Sequence, residues 1–526
     1  MTNSIAEIED AACIFVIGTN TTENHPLVAR RVFRAKEKGA KLIVADPRNI
    51  QLARFADIHV RHRLGSDVAL LNGMMHVIIK NDWHAKNYID ERTEGFDEFK
   101  ATVEAYTPDK VEAISGIAQG DLERMAELYA TNSPAALLYA MGITQHTTGV
   151  DNVKSCCNIA MLCGNVGVRS GGVNPLRGQN NVQGACDMGG LPNVFPAYQP
   201  VTVEANNEKF SKAWGKKLSD QIGYTITDMI PAMLNGKLKA LYVIGENPMM
   251  SDPDQNHIKK ALEKLELLIC QDIFQTETAQ KADVVFAGAS VAEKEGTFTN
   301  TERRCVKVNI AIDPVGNALA DWEIISKLST AMGYEMSYEN SEEIFNEMTS
   351  VTPSYGGVTY ERLGLDGLQW PCPNSEHPGT PFLHKDQFTR GKGMFHAVEY
   401  LDPAEMPDDE YPCFLSTGRN FAHFHTGTMT RASAHLHAEQ KTGYVEINPE
   451  DANKLAVQDG DMVLLSTRRG KMKTPARVTS KVKPGVLFVP FHFAECPANI
   501  LTNSAFDPIA KIPEFKVCAA KVEKAP

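Results

Sequence analysis

No stretch of the 526-residue chain approaches the roughly 20 consecutive apolar residues a transmembrane helix requires, so a helical membrane span is not expected. The first residues, Met1-Thr2-Asn3-Ser4, have neither a basic region nor an apolar h-region, so nothing marks a secretory leader. Basic charge is also short. There are 53 Lys and Arg against 65 Asp and Glu, a net charge of −12. Nonspecific nucleic-acid binding, which needs clustered Lys and Arg, is therefore not expected. The local pairs Arg30-Arg31, Arg303-Arg304 and Arg468-Arg469 read as solvated faces. No Cys-x-x-Cys occurs. Eleven cysteines, an odd number without framework spacing, argue against a disulfide scaffold and for a reducing cytoplasm. By default each is a small buried hydrophobe, and the adjacent Cys156-Cys157 cannot easily chelate one metal. What is present is ordinary globular composition, 43% hydrophobic and 22% charged. At roughly 150 residues per domain, that implies three or four domains.

The first region alternates strands and helices. Ala11–Ile17 is a short apolar run ending at Gly18 and reads as a buried strand. A polar loop follows. Pro26 suits the first turn of a helix running through Val28, Val32 and Ala35 to a stop at Gly39. Lys41–Ala45 is the next strand, and it ends at Asp46-Pro47-Arg48. This is a βαβ unit with a parallel sheet. A second unit repeats the design: strand Leu241–Ile244, Gly245, the loop Glu246-Asn247-Pro248, a helix through Ile258 and Leu262, strand Leu267–Cys270, then Gln271-Asp272. Gly18 and Asp46 are 28 residues apart, and Gly245 and Asp272 are 27 apart. The match predicts two mononucleotide-type units in one chain. A loop after a parallel strand presents free N–H groups at a helix start, which suits a phosphate. An acid at the next strand end can accept from a sugar or base amide. Neither unit carries Gly-x-Gly-x-x-Gly, so the ordinary NAD fingerprint is absent. Plain α/β packing without a ligand is the competing reading of each unit.

Residues 292–384 are less regular, and breakers from Trp370 to Gly379 place a boundary near 385. From about 410, short strands separated by regular turns (Tyr444–Ile447, Met462–Leu465, Ala476–Val478, Val486–Val489) predict a compact barrel.

The most informative segment is Gly171–Gly190. It holds six glycines and many amides, but only one arginine and one aspartate. It reads as a loop, too polar for a core strand and too glycine-rich for a stable helix. Arg177 is its one permanent cation, and a guanidinium fork matches a planar carboxylate bidentately. The competing reading pairs Arg177 with a nearby acid such as Asp187.

Val173-Asn174-Pro175-Leu176-Arg177-Gly178-Gln179-Asn180-Asn181-Val182-Gln183-Gly184-Ala185-Cys186-Asp187-Met188-Gly189 resembles the molybdopterin oxidoreductases, and within them the catalytic (alpha) subunit of molybdenum- or tungsten-dependent formate dehydrogenase. The likeness extends to Val44–Arg48, Met141–Gln145, Gly245–Pro248, Gln271–Phe274 and the C-terminal barrel, essentially the whole chain. It implies an α/β fold with two doubly wound, Rossmann-like parallel-sheet domains related by pseudo-symmetry, plus a C-terminal β-barrel of double-psi-like form. The implied domains are 1–179 and 180–291, each holding one pterin guanine dinucleotide, a mixed domain over 292–384, and a cofactor-capping barrel over 385–526. The implied cofactor is bis-molybdopterin guanine dinucleotide with Mo or W, and the implied reaction is formate to CO2.

By the same resemblance, Arg177 holds formate and Gln179 lies beside a pterin. Asp46 and Asp272 contact guanine or ribose. Gly18, Asn20, Gly245 and Glu246 contact pyrophosphate. Met141, Gly142 and Gln145 form a pterin loop. Arg48, Gly65, Asp67, Asn247, Gln271, Thr417, Arg419, Phe515 and Lys516 complete the expected cofactor contacts. The family's four cluster-binding cysteines, its linking lysine, and its selenocysteine- or cysteine-His metal ligand have no counterpart here, so no metal ligand is assigned. A 4Fe–4S cluster is expected only in a longer protein. The chain would start just downstream of that ligand, as the part of a selenoprotein that follows its in-frame stop codon, or as a truncation or one chain of a split enzyme. His25, His146, His423 and His425 read as hydrogen-bonded loop or surface histidines. Expected partners are formate or CO2 and an electron-transfer subunit (iron–sulfur, flavin or deazaflavin) or a hydrogenase. An inactive cofactor-binding fragment and another superfamily oxidoreductase, such as a nitrate reductase, are the alternatives.

Overall fold

The strand Cys13–Ile17 (β1) is buried along its whole length, because it lies mid-sheet with both faces covered. In the computed structural model, which describes residues 1–525, alternate residues of this apolar run serve two different cores. Cys13, Phe15 and Ile17 pack on one side with the helix Asp67–Lys80. Ile14 and Val16 pack on the other with the helix Pro26–Glu37. Pro26 opens that helix, and Val28, Val32 and Ala35 form its buried stripe. Lys41–Ala45 (β2), Ile58–Val60 (β3), Ala135–Tyr139 (β4) and Val173–Pro175 (β5) complete a parallel sheet of order β3-β2-β1-β4-β5. The order reverses between β1 and β4, so the loops after these two strands diverge there. That crevice is where open α/β sheets place ligands.

The segment expected to be an irregular loop is partly ordered. Val173–Pro175 pairs with Leu137–Tyr139 as the edge strand β5, and Val182–Asp187 forms a short helix. An edge strand has only one neighbour to satisfy, so polar Asn174 is tolerated there, and its side chain donates to the Gly171 carbonyl. Tertiary hydrogen bonds, described below, hold the helix against its poor propensity.

The chain divides into two compact units. One comprises Met1–Leu176, Met250–Ile258 and Phe382–Pro526; the other comprises Arg177–Met249 and Lys259–Pro381. The second unit contains a parallel sheet of Ala240–Ile244 (β6), Leu267–Asp272 (β7) and Val284–Ala287 (β8), with β7 central. It also contains an antiparallel sheet of Gly296–Thr299 (β9), Arg304–Val308 (β10) and Leu368–Gln369 (β11). The first unit closes with six strands: Cys413–Gly418 (β12), Val445–Ile447 (β13), Met462–Ser466 (β14), Lys471–Val478 (β15), Val486–Pro490 (β16) and Cys518–Lys524 (β17). They form a closed barrel of order β12-β16-β13-β15-β14-β17. Its interior is filled by Leu415, Val445, Ile447, Val463, Leu465, Leu487 and neighbours. The architecture is therefore mixed α/β with parallel sheets and a closed C-terminal β-barrel. Among the described residues, no helix is long and apolar enough to cross a membrane.

Candidate active site

At the sheet's switch point two backbones touch. The Gly142 N–H donates to the Gly18 carbonyl at 3.0 Å. A Cβ at Gly142 would lie 2.5 Å from that oxygen, and one at Gly18 would lie 2.8 Å from the Gly142 carbonyl carbon. Gly18 also holds φ +59°, so glycine is required on both counts. This contact joins the loop after β1, which carries Asn20, to the turn Met141–Thr144 and Gln145, whose N–H donates to the Met141 carbonyl. Met141 is exposed, and its sulfur accepts from the Thr144 hydroxyl. Asn20 is buried and accepts from Thr22. On either side of it, the buried hydroxyls of Thr19 and Thr21 have no hydrogen-bond partner among the described residues. Burying a hydroxyl unsatisfied is costly, so these atoms are poised to bond a ligand. His146 bonds the Gly142 carbonyl, as a loop histidine should.

Asp46 follows β2 directly and accepts the Arg48 N–H at 2.9 Å. Burial holds its carboxyl above the usual range, partly offset by Arg48. The Arg48 side chain turns to the barrel. It grips Glu446 bidentately at 2.9–3.1 Å and lies 3.5 Å from the Phe488 ring centroid. At the end of β12, the Thr417 hydroxyl donates to the Phe515 carbonyl at 2.9 Å, and the Lys516 ammonium donates to the Thr417 carbonyl at 2.7 Å. Arg419 lies over Phe424 and Phe491 and has no ion-pair or hydrogen-bond partner among the described residues. Burial lowers its pKa to about 10. Burial, reinforced by Arg419, pushes Lys516 down to about 7, with Asp46 opposing. Among the described residues neither side chain has a carboxylate at ion-pair distance, and an anion bound beside Lys516 would favour its charged form. His492 pins the Arg419 loop. Its Nε2 accepts the Asn420 N–H at 2.9 Å and its Nδ1 bonds the His425 carbonyl, while burial drives its pKa to about 3 and keeps it neutral.

Two expected contacts lie inward. Gly65 packs against the Pro403 ring. Asp67 is buried and bonds His62 at 3.0 Å, where His62 outweighs the upward push of burial and holds its carboxyl low. His423 is held by Thr430 and the Gln440 carbonyl. Among the described residues, no three His, Cys, Asp or Glu side chains group as a metal site.

The second unit repeats the strand-end acid. Asp272 accepts the Ile273 N–H at 2.7 Å, and burial raises its pKa. Gly245 and Glu246 form an exposed turn after β6. Asn247 is buried, accepting from the Thr278 N–H and hydroxyl and donating to Glu277 at 2.7 Å. Gln271 is fully buried between the Tyr242 hydroxyl and Asp321. Arg177 begins this unit. Its backbone N–H donates to the Thr301 hydroxyl at 3.2 Å, and Nη1 lies 3.9 Å from the Cys186 sulfur. Gln179 is half-buried in the following turn. Asp187, the acid considered as a partner for Arg177, accepts from Gln183, Tyr355 and Trp370.

The sequence reading missed Glu446 and the Thr19 and Thr21 hydroxyls. Glu446 had a signal: an acid within the short buried strand Val445–Ile447 demands a buried partner. The threonines had none, because a polar loop does not reveal which hydroxyls stay unpaired.

A family model described as molybdopterin oxidoreductase matches residues 1–331, and one described as molybdopterin dinucleotide binding domain matches residues 414–519. The chain is 55% identical over 528 residues to the alpha subunit of F420-dependent formate dehydrogenase 1 from Methanococcus maripaludis, covering 100% of this chain and 78% of that protein. It is 50% identical over 529 residues to the F420-dependent formate dehydrogenase alpha subunit of Methanocaldococcus jannaschii, with the same coverage. It is 42% identical over 530 residues to formate dehydrogenase H of Escherichia coli, covering 99% of this chain and 74% of that one. Among solved structures, acetylene hydratase from Pelobacter acetylenicus shares the fold, with a TM-score of 0.76 at 22% identity over 99% of this chain and 81% of that one. The chain belongs to the molybdopterin oxidoreductase family, among the formate dehydrogenase alpha subunits.

Proposed function

We propose that this chain serves the oxidation of formate to CO2, two electrons and one proton, as part of a bis-molybdopterin guanine dinucleotide enzyme. The observation that carries the reading is the 42–55% identity to formate dehydrogenase alpha subunits over essentially all of the chain. The residues present fit the cofactor. The Thr19 and Thr21 hydroxyls, the Gly18–Gly142 backbone contact, and Arg419 and Lys516, which are in no ion pair among the described residues, suit a dinucleotide diphosphate. The strand-end acids Asp46 and Asp272 suit guanine or ribose, one for each dinucleotide, over 1–179 and 180–291. Gly65, Asp67, Asn247 and Gln271 are interior and would support the contacting loops. When bound, the Mo or W of the cofactor supplies the two-electron chemistry.

The chain's own part is positioning. The Arg177 guanidinium takes the formate carboxylate on its fork and screens its charge, with Gln179 beside it. The two F420-dependent relatives favour a deazaflavin-linked electron partner over a hydrogenase. Formate-dependent dye reduction by the cofactor-loaded, full-length enzyme tests the reading. Reduction driven by formate and not by nitrate turnover is the expected result, and nitrate turnover without formate oxidation refutes it.

A further inference from the structure

The helix Val182–Asp187 has only six residues, too few to persist on its own propensity. Its C-terminal residue holds it. Asp187 is 1% exposed. Oδ1 accepts from Gln183 Nε2 at 2.8 Å, while Oδ2 accepts from the Tyr355 hydroxyl at 2.5 Å and the Trp370 indole N–H at 2.7 Å. No cation pairs with it among the described residues. The ties run on to the bed beneath Arg177. The Tyr355 hydroxyl also bonds the Thr299 hydroxyl at 3.1 Å. The Thr299 N–H donates to Asn181 at 2.8 Å, and the Thr301 hydroxyl accepts the Arg177 N–H. The turn between β9 and β10 therefore grips the Arg177 segment at two points four residues apart.

That turn is itself fixed by Arg303. This residue is 2% exposed and sits at φ +68°. Its guanidinium donates to the Trp370, Thr380 and Pro381 carbonyls. Trp370 thus serves both ends: its carbonyl holds Arg303, and its indole holds Asp187.

We infer that Asp187 is a positioning residue for Arg177. It anchors the far end of the segment to Tyr355 and Trp370, so that the guanidinium is presented in one orientation to a planar anion. Asp187 does not itself touch the substrate. The inference rests on the reading of Arg177 as the formate anchor. An anchor displaced by even about 1 Å costs heavily in rate, so a loosened segment should show in formate kinetics.

The test uses the full-length holoenzyme with Asp187→Asn, Tyr355→Phe and Arg177→Lys. Asp187→Asn turns one accepting oxygen into an N–H donor facing other donors. Tyr355→Phe removes one hydroxyl at constant shape. We expect the formate KM to rise about tenfold in Asp187→Asn and severalfold in Tyr355→Phe, with metal and pterin content per chain unchanged. In the Arg177→Lys background, Asp187→Asn should add little, because there is no fork left to aim. A wild-type KM in both fully loaded variants overturns the inference. So does activity that merely tracks lost cofactor at wild-type KM. A raised KM in Arg177→Lys with normal values for Asp187→Asn and Tyr355→Phe defeats the positioning role alone. A normal KM in Arg177→Lys defeats the formate anchor and the inference with it.

Discussion

Removing Glu446 should destabilise the first unit more than any other single charge deletion at the barrel. The Glu446 side chain is fully buried and that of Arg48 is 13% exposed, and the pair makes three contacts between 2.9 and 3.1 Å. Glu446→Leu strands a guanidinium against Phe488 with no acceptor. Breaking a buried pair in this way costs about 3–5 kcal/mol. Replacing both partners by apolar residues of similar volume removes the stranded charge along with the pair, so Arg48→Met with Glu446→Leu should return to within about 1 kcal/mol of the parent. Urea unfolding of the four chains, followed by a probe in the barrel, gives a double-mutant cycle whose coupling energy should be at least about 2 kcal/mol. Salt should barely alter it, because the pair is screened by protein. If Glu446→Leu costs under about 1 kcal/mol, or if the two changes simply add, the pair is not the clamp its geometry indicates.

Arg177→Ala should raise the formate KM and cut turnover in the full-length enzyme, and Arg177→Lys should not restore it because the bidentate fork is lost; steady-state kinetics at full metal loading decide. Lys516 has a pKa near 7 in the fold against an ordinary 10.5. Between these values the unfolded chain binds more protons, so ligand-free protein should gain stability relative to Lys516→Met as pH rises from about 7 to 10.5, and lose it as pH falls; a pH-independent difference in urea midpoints counts against the shift. Gly142→Ala places a Cβ 2.5 Å from the Gly18 carbonyl oxygen, which should cost about 1–3 kcal/mol and lower pterin content per chain. Gly120→Ala, in a helix with nothing within 4 Å, is the control and should be neutral or stabilising.

The architecture was legible wherever one physical constraint acts alone. The run Cys13–Ile17 must be a strand covered on both faces, and Pro26 with Val28, Val32 and Ala35 must be a helix laid on that sheet; both lie where periodicity put them. The strand-end acids were legible for the same reason, since Asp46 follows one apolar strand and Asp272 closes another, and they accept the N–H groups of Arg48 and Ile273. Composition failed at Gly171–Gly190, where glycine and amide content predicts a loop. There the deciding interactions are remote in sequence. Val173–Pro175 is a strand because β4 offers it an edge. Val182–Asp187 is a helix because Tyr355 and Trp370, more than 160 residues away, reach the Asp187 carboxylate.

The same distinction separates readable site residues from unreadable ones. Arg177 stands out because it is the lone cation of a polar segment. What Arg48 does, by contrast, depends on Glu446, 398 positions along the chain. A motif names a side chain able to meet an anion, but whether its charge is available depends on partners that only the fold supplies. By that measure Arg48 is committed within the protein, while Arg419 and Lys516 have no carboxylate at ion-pair distance among the described residues, though Asp46 acts on Lys516 from farther off.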